Sequence, residues 1–192
     1  AKSPMPNLPF AICLPGGKKK AEREGKEFMK VPKELDHPAF FVGEKTPVDF
    51  FLKDSEYYQE NDKESRKWPW QENPLDYREI KGKWETLKPE IQKLFSERRA
   101  REAASLCIEG CSYLLTFLFW TNGKPVSVNP LEESLHALQI KPANIEERLS
   151  FILSRPNLHH SYIQIGELFL EQEKAYAKYL VIKDRTKKQE RI

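Results

Sequence analysis

The stretch LCIEGCSYLLTFLFW, residues 106–120, is apolar at almost every position. An amphipathic surface helix shows one apolar stripe, whereas a helix that is apolar around its whole circumference is buried on all sides. A membrane span needs about 20 consecutive apolar residues, but this stretch is shorter and contains Glu109. The sequence therefore predicts an all-α fold, a bundle of about five helices around a buried central helix, with an irregular N-terminal arm and no membrane segment.

Composition narrows the class of protein. The chain has 192 residues, of which 39% are hydrophobic and 32% charged, with a net charge of +3. This charge is too small to argue by itself for binding to nucleic acid or to a membrane. The three cysteines, Cys13, Cys107 and Cys111, do not form a disulfide framework. No secretory signal is recognisable, so we expect a cytoplasmic protein.

The chain is expected to have three parts. Residues 1–66 are rich in proline and charge and are predicted to form an extended or irregular arm. Residues 67–185 are predicted to form the helical domain, and residues 186–192 a basic tail. The arm contains two phenylalanine pairs, which need burial. They pack either on the body of the same chain, which we favour, or on another subunit.

Helix starts are predicted where an asparagine precedes an acidic turn, at Asn73, Asn129 and Asn144. A helix before the central one is expected to begin near Pro89, and a break between residues 96 and 100 remains open. The last helix is predicted over residues 157–183, because one side of it carries a regular seam: Leu158, Tyr162, Ile165, Phe169, Gln172, Tyr176 and Tyr179.

Glu109 is the least expected residue of the central stretch, because a carboxylate among apolar side chains is costly unless it is paired. Arg148, Arg155 and the two histidines near the start of the last helix are its candidate partners. The neighbouring Gly110 lacks a side chain, so another element can approach closely there. A structural ion pair, or an exposed edge of the helix, is favoured over catalysis.

The densest polar and aromatic cluster is RPNLHHSY, residues 155–162, where one helix ends and the last one begins. A helix start preceded by arginine can hold an anion, although a tight turn with capping residues is the favoured explanation. The candidate ligand-binding residues are therefore Glu109, Arg148, Arg155, Asn157, His159 and His160. No catalytic residue is assigned.

Two patterns resemble metal or thiol sites. Glu133 and His136 have the spacing used in di-iron bundles, but a surface pair in an acidic first turn is the favoured explanation. Cys107 and Cys111 together with two histidines have the chemistry of a zinc site, yet both cysteines lie inside an apolar helix and are better explained as core residues. We expect no metal and no cofactor.

Tryptophans and a basic C-terminal end give a second hypothesis. Trp68, Trp70, Trp84 and Trp120, with the lysines and arginines from Lys174 onward, have the composition of a nucleic-acid-binding surface. Tryptophans that close the end of a bundle, and a solvated basic helix end, are the more ordinary explanation.

Three segments resemble the YpoC-like proteins, an uncharacterised family of Bacillus-type bacteria: residues 68–70 (WPW), residues 120–126 (WTNGKPV) and residues 141–162. The resemblance implies a cytosolic bacterial protein and brings no active site. We therefore expect a protein-interaction module without catalytic activity, whose partner and oligomeric state the sequence does not give. Nucleic-acid association, or a bundle that binds a ligand or metal, is the alternative.

Overall fold

The computed structural model describes residues 31–40 and 50–189, which contain six α-helices and no strand. The helices are α1 (Leu52–Gln59), α2 (Arg78–Ser96), α3 (Ala100–Thr121), α4 (Leu131–His136), α5 (Ile145–Ser154) and α6 (His159–Gln189). Short 3₁₀ helices cover Lys33–Leu35 and Pro69–Gln71. The predicted all-α fold is confirmed.

Helix α3 is the most buried helix in this part of the chain. Half of its 22 residues are buried, and they extend from Ala103 to Thr121. Helices α2, α5 and α6 all pack against it. Burial on several sides explains why the stretch between residues 106 and 120 is apolar around its whole circumference.

Helix α2 corrects the expectation that a helix begins near Pro89. It runs without a break from Arg78 to Ser96 and contains Pro89 in its interior. Its buried residues alternate four and three apart, as a continuous helix requires: Ile80, Trp84, Leu87, Ile91 and Leu94. Proline removes one helical hydrogen bond, but Pro89 and Glu85, whose carbonyl loses that bond, are both exposed. Water can therefore satisfy that carbonyl.

The predicted helix starts differ in outcome. Helix α2 begins at Arg78, five residues after Asn73, and the residue before it is Tyr77. Helix α5 begins where expected, immediately after Asn144, and α4 begins at Leu131, one residue later than a cap at Asn129 predicts. Neither Pro130 nor Asn144 makes a side-chain capping bond. The possible break before the central helix is present, because α2 ends at Ser96, α3 begins at Ala100 and Arg98 has a positive φ of 59°.

The described residues before α2 contact the helical body. Leu35, Phe40 and Phe51 are buried in the main hydrophobic cluster, and the hydroxyl of Tyr58 donates to the carbonyl of Val126 at 3.0 Å. Phe41, Val42, Val48, Cys13 and the last three residues of the expected basic tail lie outside the described residues. Helix α6 continues to Gln189, beyond the end that we predicted.

Candidate protein-interaction surface

Helix α6 has 31 residues and two apolar sides. One side faces the body through Ile165, Leu168, Phe169, Gln172 and Tyr176, all of which are buried. On the opposite side three large apolar residues are exposed: Ile163 at 41%, Leu170 at 56% and Val181 at 53%. We call these three residues the outer stripe.

The spacing of the outer stripe places it on a single face. With 3.6 residues per turn, residues seven and eighteen positions apart point in nearly the same direction, and Ile163, Leu170 and Val181 have these separations. The side chains of one face thus form a row along the helix on the side away from the core. Glu167, Lys174 and Ala177 lie between these three residues on the same face, so apolar and charged side chains are interspersed along it. We take this face as the candidate surface for contact with another protein.

Ion pairs hold the two flanks of α6 to the body. On one flank the guanidinium of Arg148 in α5 donates to Glu171 at 2.8 Å and to Gln164 at 2.8 Å. On the other, the ammonium of Lys81 in α2 lies 2.6 Å from Glu173. These charges are therefore paired within the chain on both flanks, while burial of the side that carries Ile165 and Phe169 turns the outer stripe toward solvent.

The structure does not gather the six candidate ligand-binding residues at one place. Glu109 accepts a hydrogen bond from the hydroxyl of Tyr113, four residues along α3, at 2.6 Å. Arg148, its candidate partner, instead contacts Glu171 and Gln164 of α6. Glu109 is half-buried and bonded within its own helix, which matches the edge-of-helix interpretation.

The other four candidates lie together at the turn between α5 and α6, and all are exposed. The guanidinium of Arg155 and the ring of His160 each lie 5.7 Å from the ring of Phe151. His159 packs edge-on against Phe95 at 5.2 Å, and Asn157 lies between these residues in the turn. The hydroxyl of Ser161 donates to the carbonyl of Arg155 at 2.7 Å, which closes the turn.

The possible metal and thiol sites are not assembled either. Cys107 and Cys111 are fully buried, and burial raises the pKa of both thiols. His159 and His160 are exposed at the start of α6, and His136 lies 3.9 Å from Glu146 rather than beside further metal ligands. Within residues 31–40 and 50–189, no group of three or more potential ligands has a geometry that would hold a metal ion.

Asp54 was not identified from the sequence. It is fully buried, and one carboxylate oxygen accepts hydrogen bonds from the Val126 amide at 2.7 Å and the Trp120 indole at 3.0 Å. Its other oxygen, Oδ2, has no partner among the described residues. Burial raises the pKa of Asp54 to about 6. The residue joins α1 to the end of α3 and to the segment after it.

A small pocket lies at the end of the bundle near the C-terminus of α3. It has a volume of about 160 Å³ and four aromatic side chains in its wall, those of Trp70, Trp120, Tyr176 and Tyr179. The amide of Asn122, which also lines it, is already bonded within the chain through both its oxygen and its nitrogen. The pocket is small and open to solvent, so it is a weaker candidate than the outer stripe.

The tryptophans do not offer a stacking surface for bases. Trp68, Trp70 and Trp84 are all buried, and Trp68 stacks on Trp70 with ring centroids 5.5 Å apart. Trp120 is half-buried and its indole donates to Asp54, so the described residues do not support the tryptophan half of the nucleic-acid hypothesis. The basic half remains as the exposed end of α6, which carries four cations close to Asp184: Lys183, Arg185, Lys187 and Lys188.

Helix α3 is long and apolar enough to cross a membrane. However, 56% of its most apolar window is buried inside the protein. The core helix of a soluble protein passes the same test of length and composition, so this feature does not indicate a membrane.

These features define the class of the protein. It is a small all-α protein with a buried central helix and exposed apolar residues on one face of its last helix. The family model described as YpoC-like protein matches residues 76–184. The "Uncharacterized protein YpoC" of Bacillus subtilis (strain 168) is 32% identical over 112 residues, which cover 58% of this chain and 68% of the relative. The chain belongs to the YpoC-like family. No solved structure matches the chain significantly.

Proposed function

We propose that this protein is a non-catalytic interaction module of the bacterial cytoplasm and that it binds a helical protein partner along the outer stripe of α6. The carrying observation is the exposure of Ile163, Leu170 and Val181 on one helix face, opposite the core. Burying a large apolar side chain in a complex contributes about 1.5–3 kcal/mol. Three of them on one helix face give such an interface its apolar contacts.

The placement of the polar candidates supports the same proposal. Glu109 is bonded to Tyr113 and Arg148 to α6, while the Arg155–His160 cluster lies in an exposed turn. A catalytic site requires a nucleophile or acid–base group within hydrogen-bond reach of its partners. The geometry of these residues favours structural roles and leaves the outer stripe as the best candidate for function.

Site-specific photo-crosslinking in the native cells tests the proposal. A photoreactive phenylalanine analogue replaces Leu170 in one strain and Leu52 in another. Leu52 is a matched control because it is an exposed leucine, at 40%, on a different helix. We expect discrete protein adducts from position 170 and none from position 52. Absence of adducts at position 170, or equal adducts at both positions, would reject the outer stripe as an interaction surface.

A further inference from the structure

We propose that the partner on the outer stripe is a second copy of this chain, whose α6 lies antiparallel to the first. This inference rests on the proposed function and names the partner. It starts from the pattern of residues between Ile163 and Val181, in which the outer stripe forms part of a longer seam.

The seam follows a heptad pattern. Positions 163, 167, 170, 174, 177 and 181 are alternately four and three residues apart, which is the spacing of the contact face in paired helices. They are occupied by Ile163, Glu167, Leu170, Lys174, Ala177 and Val181. All six residues are exposed. The seam therefore has apolar residues in alternation with one acid and one base, and nothing in the described part of the chain covers it.

The charges on the seam argue against a parallel pair. In a symmetric parallel pair each residue faces its own copy, so Glu167 would meet Glu167 and Lys174 would meet Lys174. Like charges in direct opposition are unfavourable. A parallel arrangement of two α6 helices is therefore disfavoured by two repulsive contacts.

An antiparallel pair centred on Gln172 avoids both of these like-charge contacts. In that register Ile163 of each copy faces Val181 of the other, and Leu170 faces Lys174. Gln172 itself is buried on the opposite side of the helix, so the centre marks only the register. The aliphatic stem of a lysine packs on apolar surface while its ammonium reaches water, so the contact between Leu170 and Lys174 is compatible with burial.

Glu167 gains opposite charges in the same register. It faces Ala177 of the other copy, and Lys178 and Lys174 of that copy lie about 1.5 and 4.5 Å away along the helix axis, at 1.5 Å per residue. An isologous pair repeats this contact on both sides of its two-fold axis. One acid and two bases on each copy thus make the seam complementary to itself.

These charges are free to form the contact. The side chain of Glu167 is 50% exposed, and its contacts within the chain, from Arg148 at 3.5 Å and Gln164 at 3.0 Å, both involve the oxygen Oε2. Arg148 is bound more closely by Glu171. Neither Lys174 nor Lys178 takes part in an ion pair with any residue in the described ranges. Forming the dimer therefore breaks no strong contact within either copy.

The size of the seam predicts a weak, reversible dimer. A stable interface buries about 800 Å² on each partner, whereas five turns of one helix supply less. We expect a dissociation constant in the micromolar range. Partial electrostatic stabilisation also predicts that the dimer weakens as salt concentration rises.

Sedimentation velocity of the full chain at rising concentration tests the proposal. We expect a monomer–dimer equilibrium for the wild type and only monomer for Leu170→Asp. Leu52→Asp, the matched control on α1, should dimerise like the wild type. Glu167→Lys should raise the dissociation constant about tenfold, because two attractive contacts become repulsive. Adding Lys174→Glu and Lys178→Glu to Glu167→Lys should restore dimerisation. Thermal unfolding of each variant verifies that it is folded.

Three results would each overturn the antiparallel dimer. The wild type could remain monomeric at every concentration, or Leu170→Asp could still dimerise. The triple variant could also dimerise more weakly than Glu167→Lys alone. The proposed function is judged separately by the crosslinks from position 170. An adduct with a different protein, formed by a chain that sediments as a monomer, would keep the interaction module and reject the second copy as its partner.

Discussion

The indole ring of Trp84 occupies the space that a side chain at Gly110 would need. A Cβ at Gly110 would lie 2.8 Å from Cζ3 and 3.1 Å from Cε3 of that ring. The ring is confined, because it is buried and stacks on Phe169 with centroids 5.2 Å apart. Helices α2, α3 and α6 therefore meet where α3 lacks a side chain.

Gly110→Ala is expected to destabilise the protein. Overpacking a core position costs about 1–3 kcal/mol, and the higher helix propensity of alanine offsets about 1 kcal/mol of that cost. We expect a net loss of up to about 2 kcal/mol in the free energy of unfolding, measured by urea denaturation.

The matched control is the same substitution at Gly82. Nothing lies within 4 Å of a Cβ at this exposed position of α2. Gly82→Ala should therefore stabilise the protein by about 0.5–1 kcal/mol through helix propensity alone. Equal effects at the two positions would show that Trp84 does not limit the space at Gly110.

The sequence indicated that another element approaches Gly110, but not which residue does so. A glycine inside an apolar helical stretch is visible locally, whereas Trp84 reaches it across the interface between two helices. The same distinction applies to α2. The local signal of Pro89 predicted a helix start, but packing of Trp84 and Ile91 on α3 holds one continuous helix.

Asp54 marks the limit of sequence-based prediction for the buried polar groups. Its surroundings, Lys53 to Gln59, are largely polar and belong to the segment that we predicted to be an extended or irregular arm. Its burial depends on Trp120 and Val126, which are 66 and 72 residues away in the chain. No local pattern encodes such a contact. The outer stripe was also not predicted. The periodicity of the sequence indicated the core-facing side of α6, but it did not indicate which other apolar residues of the helix remain exposed.

Asp54 should make the stability of the protein depend on pH. Its folded-state pKa of about 6 lies above its ordinary value of 3.8, so between pH 4 and 6 the folded state binds a proton that the unfolded state has lost. Stability contributed by this group therefore falls as pH rises through this window and stays low above it. The full difference is about 3 kcal/mol at 1.36 kcal/mol per pKa unit.

Asp54→Asn tests this assignment because it resembles the protonated acid and still offers one oxygen to Val126 and Trp120. Urea denaturation of both proteins at several pH values isolates Asp54, since their difference cancels the other titrating groups. We expect similar stability near pH 4 and a more stable Asp54→Asn variant at pH 7. A difference that does not change with pH would contradict the raised pKa.

The two cysteines of α3 should be unreactive in the folded protein. Burial raises the pKa of Cys107 to about 12 and that of Cys111 in the same direction, and the thiolate is the reactive form. In a Cys13→Ser background we expect no reaction with Ellman's reagent under native conditions and two reactive thiols in urea. Rapid reaction of the folded protein would show that α3 is accessible.

Two amide side chains, those of Asn122 and Gln172, lie near the end of α3. We expect Asn122 to contribute more than Gln172 to the free energy of unfolding. Its nitrogen donates to the carbonyls of Leu118 and Ile140 at 2.7 and 2.8 Å, and its oxygen accepts from the amides of Gln139 and Ile140 at 2.9 Å. Asn122→Ala removes all four bonds and leaves the amides of Gln139 and Ile140 without this partner, whereas the carbonyls of Leu118 and Ile140 keep bonds from Thr121 and Gln172. We expect a loss of about 2–4 kcal/mol, since each orphaned group costs about 1–3 kcal/mol.

Gln172 is the buried counterpart and should be replaceable. Its nitrogen donates to the Thr121 hydroxyl and the Ile140 carbonyl at 2.8 and 3.1 Å, but its oxygen has no partner among the described residues. In Gln172→Leu, Ile140 keeps its bond from Asn122 and Thr121 keeps its bond to Phe117. The lost bonds are offset by removing a buried oxygen without a partner. Urea denaturation should therefore place Gln172→Leu within about 1 kcal/mol of the wild type, and a cost equal to that of Asn122→Ala would show that burial, rather than completed hydrogen bonding, decides which amide matters.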